Sequence, residues 1–221
     1  MRFRAMPVAW GMSIALLCGA ATNSSYGGEA HIRGESTSGR VGIKTWKDFR
    51  DDRVVKQQLD YSCGAASLAT LLKEYYGHEE VTELDIIQRI GLDGEASFAD
   101  MARVAEEFGY KAVGLAMDFE TLAKLQLPAI VYLELGNRRG DSHFSVLRGV
   151  APDGRVWLGD PAWGNRLISK ADFLRLWHIG SDDFSGKILV IVNKGDERFL
   201  ATWKRKILLG NMLHTRIYHI N

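Results

Sequence analysis

The apolar positions between Cys63 and Tyr76 recur at helical spacing over most of the segment's circumference. This pattern predicts a helix with a wide buried face, and Gly77 directly after it is typical of a helix end. Two more helices are predicted, at 82–90 and 97–108, because each starts with a hydroxyl residue three positions before an aspartate. Such a pair caps the free backbone N–H groups of a helix N-terminus. The first half of the folded region is therefore predicted to be helical.

Beyond residue 112 the pattern changes to short runs rich in β-branched and aromatic residues, which predict strands. The predicted strands span 113–117, 129–135, 143–150, 155–160 and 187–192, and two helices are predicted at 119–125 and 169–177. The sequence Pro152-Asp153-Gly154 is typical of a tight turn, which would fold two of these strands into a hairpin. Helices followed by an antiparallel sheet predict an α+β fold.

The N-terminal 28 residues have the pattern of a secretory signal peptide. Arg2 and Arg4 precede an uncharged stretch that runs from Ala5 to Ala21, and small and polar residues follow. We expect cleavage near Gly27 or after Ala30, which would release the protein into the periplasm or the medium. An uncleaved membrane anchor is the alternative, because the uncharged stretch is close to membrane-spanning length.

Composition divides the rest of the chain into three parts. Residues 29–50 are rich in Gly, Ser, Thr and Arg and are predicted to form a flexible linker. Residues 51–195 hold all the predicted helices and strands and form the folded domain. Residues 196–221 mix basic and apolar positions, as in an amphipathic helix. We expect that tail to dock on its own domain, and contact with a membrane surface or a partner is the alternative.

The charge balance narrows the classes of partner. The chain has 28 basic and 27 acidic residues, a formal net charge of +1, and a dedicated nucleic-acid-binding protein would carry a basic excess. Hydrophobic residues make up 46%, enough for a core that needs neither metal nor crosslinks. No His or Cys pair has the spacing of a metal site, and no cofactor is predicted. A polypeptide partner is compatible with these values.

Cysteine usage directs attention to one residue. The chain has two cysteines, and Cys18 lies in the predicted signal peptide, so the exported protein would contain Cys63 alone. Cys63 stands where a loop becomes a helix, and a helix N-terminus stabilises a thiolate, the nucleophilic form. A buried structural cysteine is the alternative.

Gln57, six residues before Cys63, has an amide that can donate to an oxyanion together with the Cys63 N–H. Its neighbour Gln58 could be mistaken for this donor.

A thiol nucleophile requires a base, and His143 is the candidate among six histidines because it opens an apolar strand. A core histidine bonded to backbone is the alternative. Asp160 ends the partner strand of the predicted hairpin, so the two side chains fall in one neighbourhood, as an orienting carboxylate requires. The turn geometry decides whether they face each other directly or lie a few residues apart. Asp141, in the loop beside His143, is a weaker candidate for the same role.

Three segments, at 57–67, 143–147 and 159–161, together resemble the C39 peptidase family, and the resemblance extends over roughly 54–192. It implies a papain-like fold in which Cys63 is the nucleophile, His143 the base, Asp160 the residue that orients it and Gln57 an oxyanion donor. Transporter-linked members usually have an acidic residue where this chain has Ser62, and no phosphate-binding Gly-x-x-x-x-Gly-Lys motif is present.

These differences favour the stand-alone exported members, some of which accompany secretion systems for extracellular fibres, including functional amyloid. The resemblance therefore implies an exported cysteine peptidase that acts on a polypeptide, such as a fibre subunit or a secretion-system component. Two alternatives are a non-catalytic module of the same family that binds an exported polypeptide, and a thiol amidase that acts on cell-wall peptides.

Overall fold

The computed structural model describes residues 28–34, 38–91, 95–136, 142–177, 186–195 and 215–218. The chain divides into two compact units, Met1–Ile43 and Lys44–Asn221. In the first unit, strand β1 (Gly28–Arg33) pairs antiparallel with β2 (Ser38–Ile43). The predicted signal peptide, up to residue 27, lies outside the described residues and stays a prediction.

The region predicted as a flexible linker, 29–50, differs from that expectation. It holds the β1–β2 hairpin and, in the second unit, helix α1 (Trp46–Arg50). Thr45 and Asp48 form a capping box at the start of α1, the same device that identified the later helices. The composition of the segment did not indicate the hairpin or helix α1, because polar residues and glycine are common both in linkers and in short hairpins and helix caps.

Helix α2 (Cys63–Tyr76) is followed by α3 (Glu83–Ile90) and α4 (Phe98–Glu107), close to the predicted positions. Both predicted capping boxes are present, and Gly77 ends α2 with a left-handed φ of 78°. The first ten residues of α2 are all buried, so this helix runs through the centre of the domain.

The described second unit also contains a seven-stranded antiparallel sheet, with the strand order β7-β6-β5-β4-β8-β3-β9. Its strands are β3 (Tyr110–Met117), β4 (Ala129–Glu134), β5 (Ser142–Val150), β6 (Val156–Asp160), β7 (Gly164–Ile168), β8 (Lys187–Asn193) and β9 (Thr215–Tyr218). Helices α5 (Phe119–Ala123) and α6 (Lys170–Trp177) complete the described elements. The strands β7 and β9, at the two edges, were not predicted from the sequence.

Helices pack on both faces of the sheet, and this explains the continuous apolar runs in its central strands. Successive residues of β4, Ile130 and Val131, belong to two different cores, and so do Leu189 and Val190 of β8. One core lies against α2, α3 and α4, and the other against α5 and α6. A strand buried on both faces loses the polar alternation of a half-exposed strand.

Most of the predicted C-terminal tail, 196–214 and 219–221, lies outside the described residues. Residues 215–218 form β9, which pairs antiparallel with β3, so this part of the tail docks as a strand and not as a helix. The amphipathic helix remains a prediction for the rest. Among the described residues no helix is both long enough and apolar enough to cross a membrane.

The second residue of α2, Gly64, is fixed by packing. A Cβ at this position would lie 2.9 Å from Cβ of Ala96 and 3.3 Å from the ring of Phe144. The absence of a side chain at Gly64 therefore lets α2 pack closely against β5 and the start of α4.

We expect Gly64→Ala to destabilise the domain by about 1–3 kcal/mol, because overpacking here outweighs the helix propensity of alanine. Chemical denaturation measures the change. The double variant Gly64→Ala with Ala96→Gly removes the closest contact and should recover part of the loss. A single variant more stable than the wild type would contradict the packing argument.

Candidate active site

Cys63 is the first residue of α2 and only 4% of its surface is exposed. The residue before it, Ser62, makes no side-chain cap on the helix, because its hydroxyl is hydrogen-bonded to Leu59: it donates to the carbonyl (2.8 Å) and accepts from the N–H (3.2 Å). The first turn of α2 contains no acidic residue. The helix therefore presents uncapped N–H groups beside the sulfur, an arrangement that stabilises negative charge.

His143, the second residue of β5, is 5% exposed and lies between the thiol and a carboxylate. Its Nε2 is 3.1 Å from Oδ2 of Asp160, and the ring also interacts with the Cys63 thiol. Burial lowers the pKa of His143, but hydrogen bonds and charge from Asp160 and Cys63 outweigh it and raise the pKa to about 9. The imidazolium form is thus favoured at neutral pH.

Asp160, the last residue of β6, is fully buried, and both its oxygens are used. Oδ1 accepts hydrogen bonds from the N–H groups of Ala162 (2.9 Å) and Trp163 (3.0 Å). Oδ2 accepts from the Ser145 hydroxyl (3.3 Å) and faces His143. Burial raises the pKa of Asp160, yet the His143 interaction and the two N–H donors hold it below its ordinary value. Asp160 is therefore a carboxylate held in one orientation.

The strand register shows whether His143 and Asp160 face each other directly or lie a few residues apart. Val146 pairs with Gly159, and continuing that antiparallel register places Ser145 opposite Asp160. The register shifts between Leu147 and Gly149, where the strand bulges. His143 therefore reaches Asp160 diagonally, from two residues further along β5. The other candidate orienting residue, Asp141, lies outside the described residues.

Two residues at this site were missed by the sequence reasoning. Ser145 follows His143 by two positions and so shares its side of β5, which the period of a strand could have indicated. The ring of Trp163 lies 5.3 Å from that of His143, centroid to centroid, at an angle of 57°. Trp163 is 47% exposed, so it shields one side of the imidazole while facing solvent. Nothing in the sequence distinguishes it from an ordinary turn residue.

The segment before Cys63 is attached to the turn after Asp160. The N–H of Gln57 donates to the carbonyl of Pro161 (3.1 Å). The Gln57 amide donates one N–H to the carbonyl of Leu59 (3.0 Å), and its Oε1 is buried without a partner among the described residues. An amide NH2 group has two N–H donors, and the bond to Leu59 uses one of them.

Gln58 differs from Gln57 in the exposure of its side chain and in its hydrogen-bond partners. Its side chain is exposed and donates to the carbonyl of Lys56 (3.3 Å). Its backbone N–H donates to both carboxylate oxygens of the buried Glu83, at 2.9 and 3.1 Å. Glu83 thereby fixes the backbone next to Gln57.

Among the described residues, no group of three or more His, Cys, Asp or Glu lies close enough to hold a metal ion.

The sequence of the chain is similar to those of known peptidases. The Peptidase C39 family model matches residues 51–192. The probable functional amyloid protease FapD of Pseudomonas fluorescens is 34% identical over 63% of this chain and 65% of its own length. FapD of Pseudomonas aeruginosa is 30% identical over 71% of this chain and 67% of its own length. The chain thus spans just under two thirds of the first of these relatives.

Solved structures give the same answer for the fold. A double glycine motif protease from an AMS/PCAT transporter, crystallised with its leader peptide, is 27% identical with a TM-score of 0.51, over 64% of this chain and 91% of that one. The peptidase domain of Streptococcus ComA aligns with a TM-score of 0.54 at 22% identity, over 64% of this chain and 98% of its own. These matches confirm the predicted α+β, papain-like fold.

We expect Asp160→Asn to lower the pKa of His143 from about 9 toward its ordinary value of 6.5, because the variant removes the negative charge. The folded value exceeds the ordinary one, so protonation of His143 stabilises the fold fully below pH 6.5, and this contribution is lost as pH rises through about 9. An NMR titration of the histidine ring measures the shift. Asp153→Asn, on the same hairpin but paired with Arg155, is the control and should leave it unchanged. An unaltered His143 titration in Asp160→Asn would show that the carboxylate does not control the imidazole.

Proposed function

The chain belongs to the Peptidase C39 family of cysteine peptidases, and we propose that it cleaves an exported polypeptide with Cys63 as nucleophile. The observation that carries this proposal is the buried contact between His143 and Asp160, on an imidazole whose pKa also responds to the Cys63 thiol. Nucleophile, base and orienting carboxylate in this order are the parts of a covalent acyl-transfer site.

The roles follow from the geometry. The Cys63 sulfur, deprotonated by His143, attacks the substrate carbonyl carbon, and the carbonyl π electrons move to oxygen. We assign that oxyanion to the N–H of Cys63 and the amide of Gln57. The imidazolium then gives its proton to the departing amine as the C–N bond breaks. Water, deprotonated by the same imidazole, releases the acyl group and restores the thiol.

The substrate class is proposed from the relatives. Both FapD proteins are described as probable functional amyloid proteases, and the leader peptide in the solved complex is also a polypeptide. We propose a polypeptide of an extracellular-fibre system, either the fibre subunit or a secretion component, as the substrate here. The predicted signal peptide supports a periplasmic or secreted location for the reaction.

Cys63→Ala should abolish cleavage while the protein stays folded, because it removes the attacking sulfur. Cleavage of polypeptides from the same fibre system, followed by mass spectrometry, is the measurement, with circular dichroism as the check on folding. His143→Ala should be nearly as damaging, since base and nucleophile act as one unit. Asp160→Asn should retain weak activity. Full activity in Cys63→Ala would exclude this site as the catalytic centre.

Gln57→Ala should lower kcat by about a hundredfold, roughly 3 kcal/mol, with little change in KM, because it removes one oxyanion donor. Gln58→Ala is the matched control, one residue away with an exposed side chain, and should be almost silent. If Gln58→Ala were crippling and Gln57→Ala silent, the register of the oxyanion donor would be wrong.

Export predicts a mature N-terminus between about residue 22 and residue 31, where small residues suit a signal peptidase. N-terminal sequencing of protein recovered from the cell envelope determines it. Recovery of intact Met1 in the membrane fraction would instead support the uncleaved anchor.

A further inference from the structure

A cleft of about 430 Å³ opens beside the catalytic residues and has no role in the steps above. It lies at the start of α4 and at the ends of β4 and β5. The side chains that characterise it are three aromatic residues, one hydroxyl and two carboxylates: Phe98, Tyr132, Phe144, Ser142, Glu95 and Glu134.

Covalent neighbours link the cleft to the catalytic site. Ser142 and Phe144 line the cleft and flank His143 in β5, with their side chains on the opposite face of the strand from the imidazole. Phe144 and Ala96, another lining residue, are also the side chains that pack against Gly64, the residue after Cys63. The contacts at Gly64 place the cleft beside the N-terminus of α2, one residue from Cys63, where it can receive a side chain that neighbours the scissile bond.

The floor of the cleft is aromatic. The ring of Phe144 lies 5.2 Å from that of Phe98 and 5.5 Å from that of Tyr132, centroid to centroid, and both pairs are steeply inclined. Phe144 is buried, and the other two rings are partly exposed. Rings in this arrangement offer apolar contact to an extended alkyl chain, and their faces attract a cation.

Acidic side chains border these rings. Glu95 accepts a hydrogen bond from the Ser142 hydroxyl (2.7 Å), which in turn hydrogen-bonds Tyr132. Glu134 and Glu95 line the same cleft as Tyr132. Burial raises the pKa of Tyr132, and the charges of Glu134 and Glu95 raise it further against the lowering effect of the Ser142 hydrogen bond. Lys187 also lines the cleft, so the described lining residues carry two carboxylates and one ammonium group. The cleft combines an apolar floor with a net negative border.

We propose that this cleft is a specificity subsite for a basic side chain, Arg or Lys, of the polypeptide substrate. The alkyl stem lies against Phe98, Phe144 and Tyr132, and the cationic head lies between the two carboxylates. Glu134 is the main determinant of specificity, because Ser142 already hydrogen-bonds Glu95. The subsite rests on the proposed peptidase function, since it selects among substrates of that reaction.

The first test needs no catalysis. The full chain carrying Cys63→Ala is titrated with Nα-acetylarginine methylamide and, separately, with the norleucine compound, which has a similar stem and no charge. We expect the arginine compound to shift the ring resonances of Tyr132 in NMR spectra and to bind more tightly than the norleucine compound. Glu134→Gln should weaken arginine binding about tenfold, in line with the loss of one charged hydrogen bond. Glu80→Gln, an exposed glutamate outside this cleft, is the matched control.

The second test uses cleavage by the full chain. Peptides that are cleaved are resynthesised with arginine, lysine or norleucine at each position flanking the scissile bond. One position should favour the basic residues, and Glu134→Gln should reduce that kcat/KM preference about tenfold, while Glu80→Gln leaves it unchanged. Charge reversal by Glu134→Lys should turn the preference toward glutamate.

The outcomes separate the two proposals. Cleavage with no basic preference, or equal binding of the arginine and norleucine compounds, would overturn the subsite and leave the peptidase function standing. A norleucine preference would show that the cleft selects apolar side chains instead. Failure to cleave any polypeptide, together with charge-dependent binding at Tyr132, would overturn the peptidase function and support the cleft as a binding site.

Discussion

The buried carboxylate of Asp160 is the interaction on which the rest of this site depends. An ionised carboxylate without solvent exposure is costly unless its oxygens are all engaged, and here two backbone N–H groups, a hydroxyl and an imidazole engage them. These donors come from the turn after β6 and from β5, so the charge is satisfied only when both strands are correctly paired. Correct strand pairing therefore also orients His143, and the same carboxylate opposes the effect of burial and raises the pKa of the imidazole.

The turn that carries Asp160 also connects the sheet to the segment before α2. Gln57 donates to Pro161, and the ammonium group of Lys56 donates to the carbonyl of Ala162 (2.7 Å). Gly164, at the end of this turn, has a φ of 81°, and a Cβ there would lie 2.5 Å from the carbonyl oxygen of Arg50. A glycine is thus required for the chain before α2 to approach the turn. Through these contacts the turn after β6 positions both Cys63, on a helix, and His143, on a strand.

Sequence reasoning recovered the parts of the fold that have strong local patterns, such as the capped helices and the central strands buried on both faces. It missed β7 and β9, because an edge strand needs neither a continuous apolar run nor a conventional turn. At the site it selected Cys63, His143 and Asp160, which the structure brings together, because each stands at the end of a predicted element. Ser145 and Trp163 depend on the register after a bulge and on the path of a turn, and neither can be read from local spacing.

The two sides of the site differ in how far they are organised before substrate binds. On the base side, each oxygen of Asp160 has its partners, so the imidazole is held by a network that loses stability if any member moves. On the side of the proposed oxyanion donor, Glu83 fixes the backbone at Gln58, but the Gln57 amide has a buried oxygen with no partner among the described residues. Leaving such an atom unsatisfied costs about 1–3 kcal/mol. In the proposed mechanism the second N–H of the Gln57 amide donates to the substrate oxyanion, and an N–H of the polypeptide backbone is the kind of donor that the buried oxygen lacks.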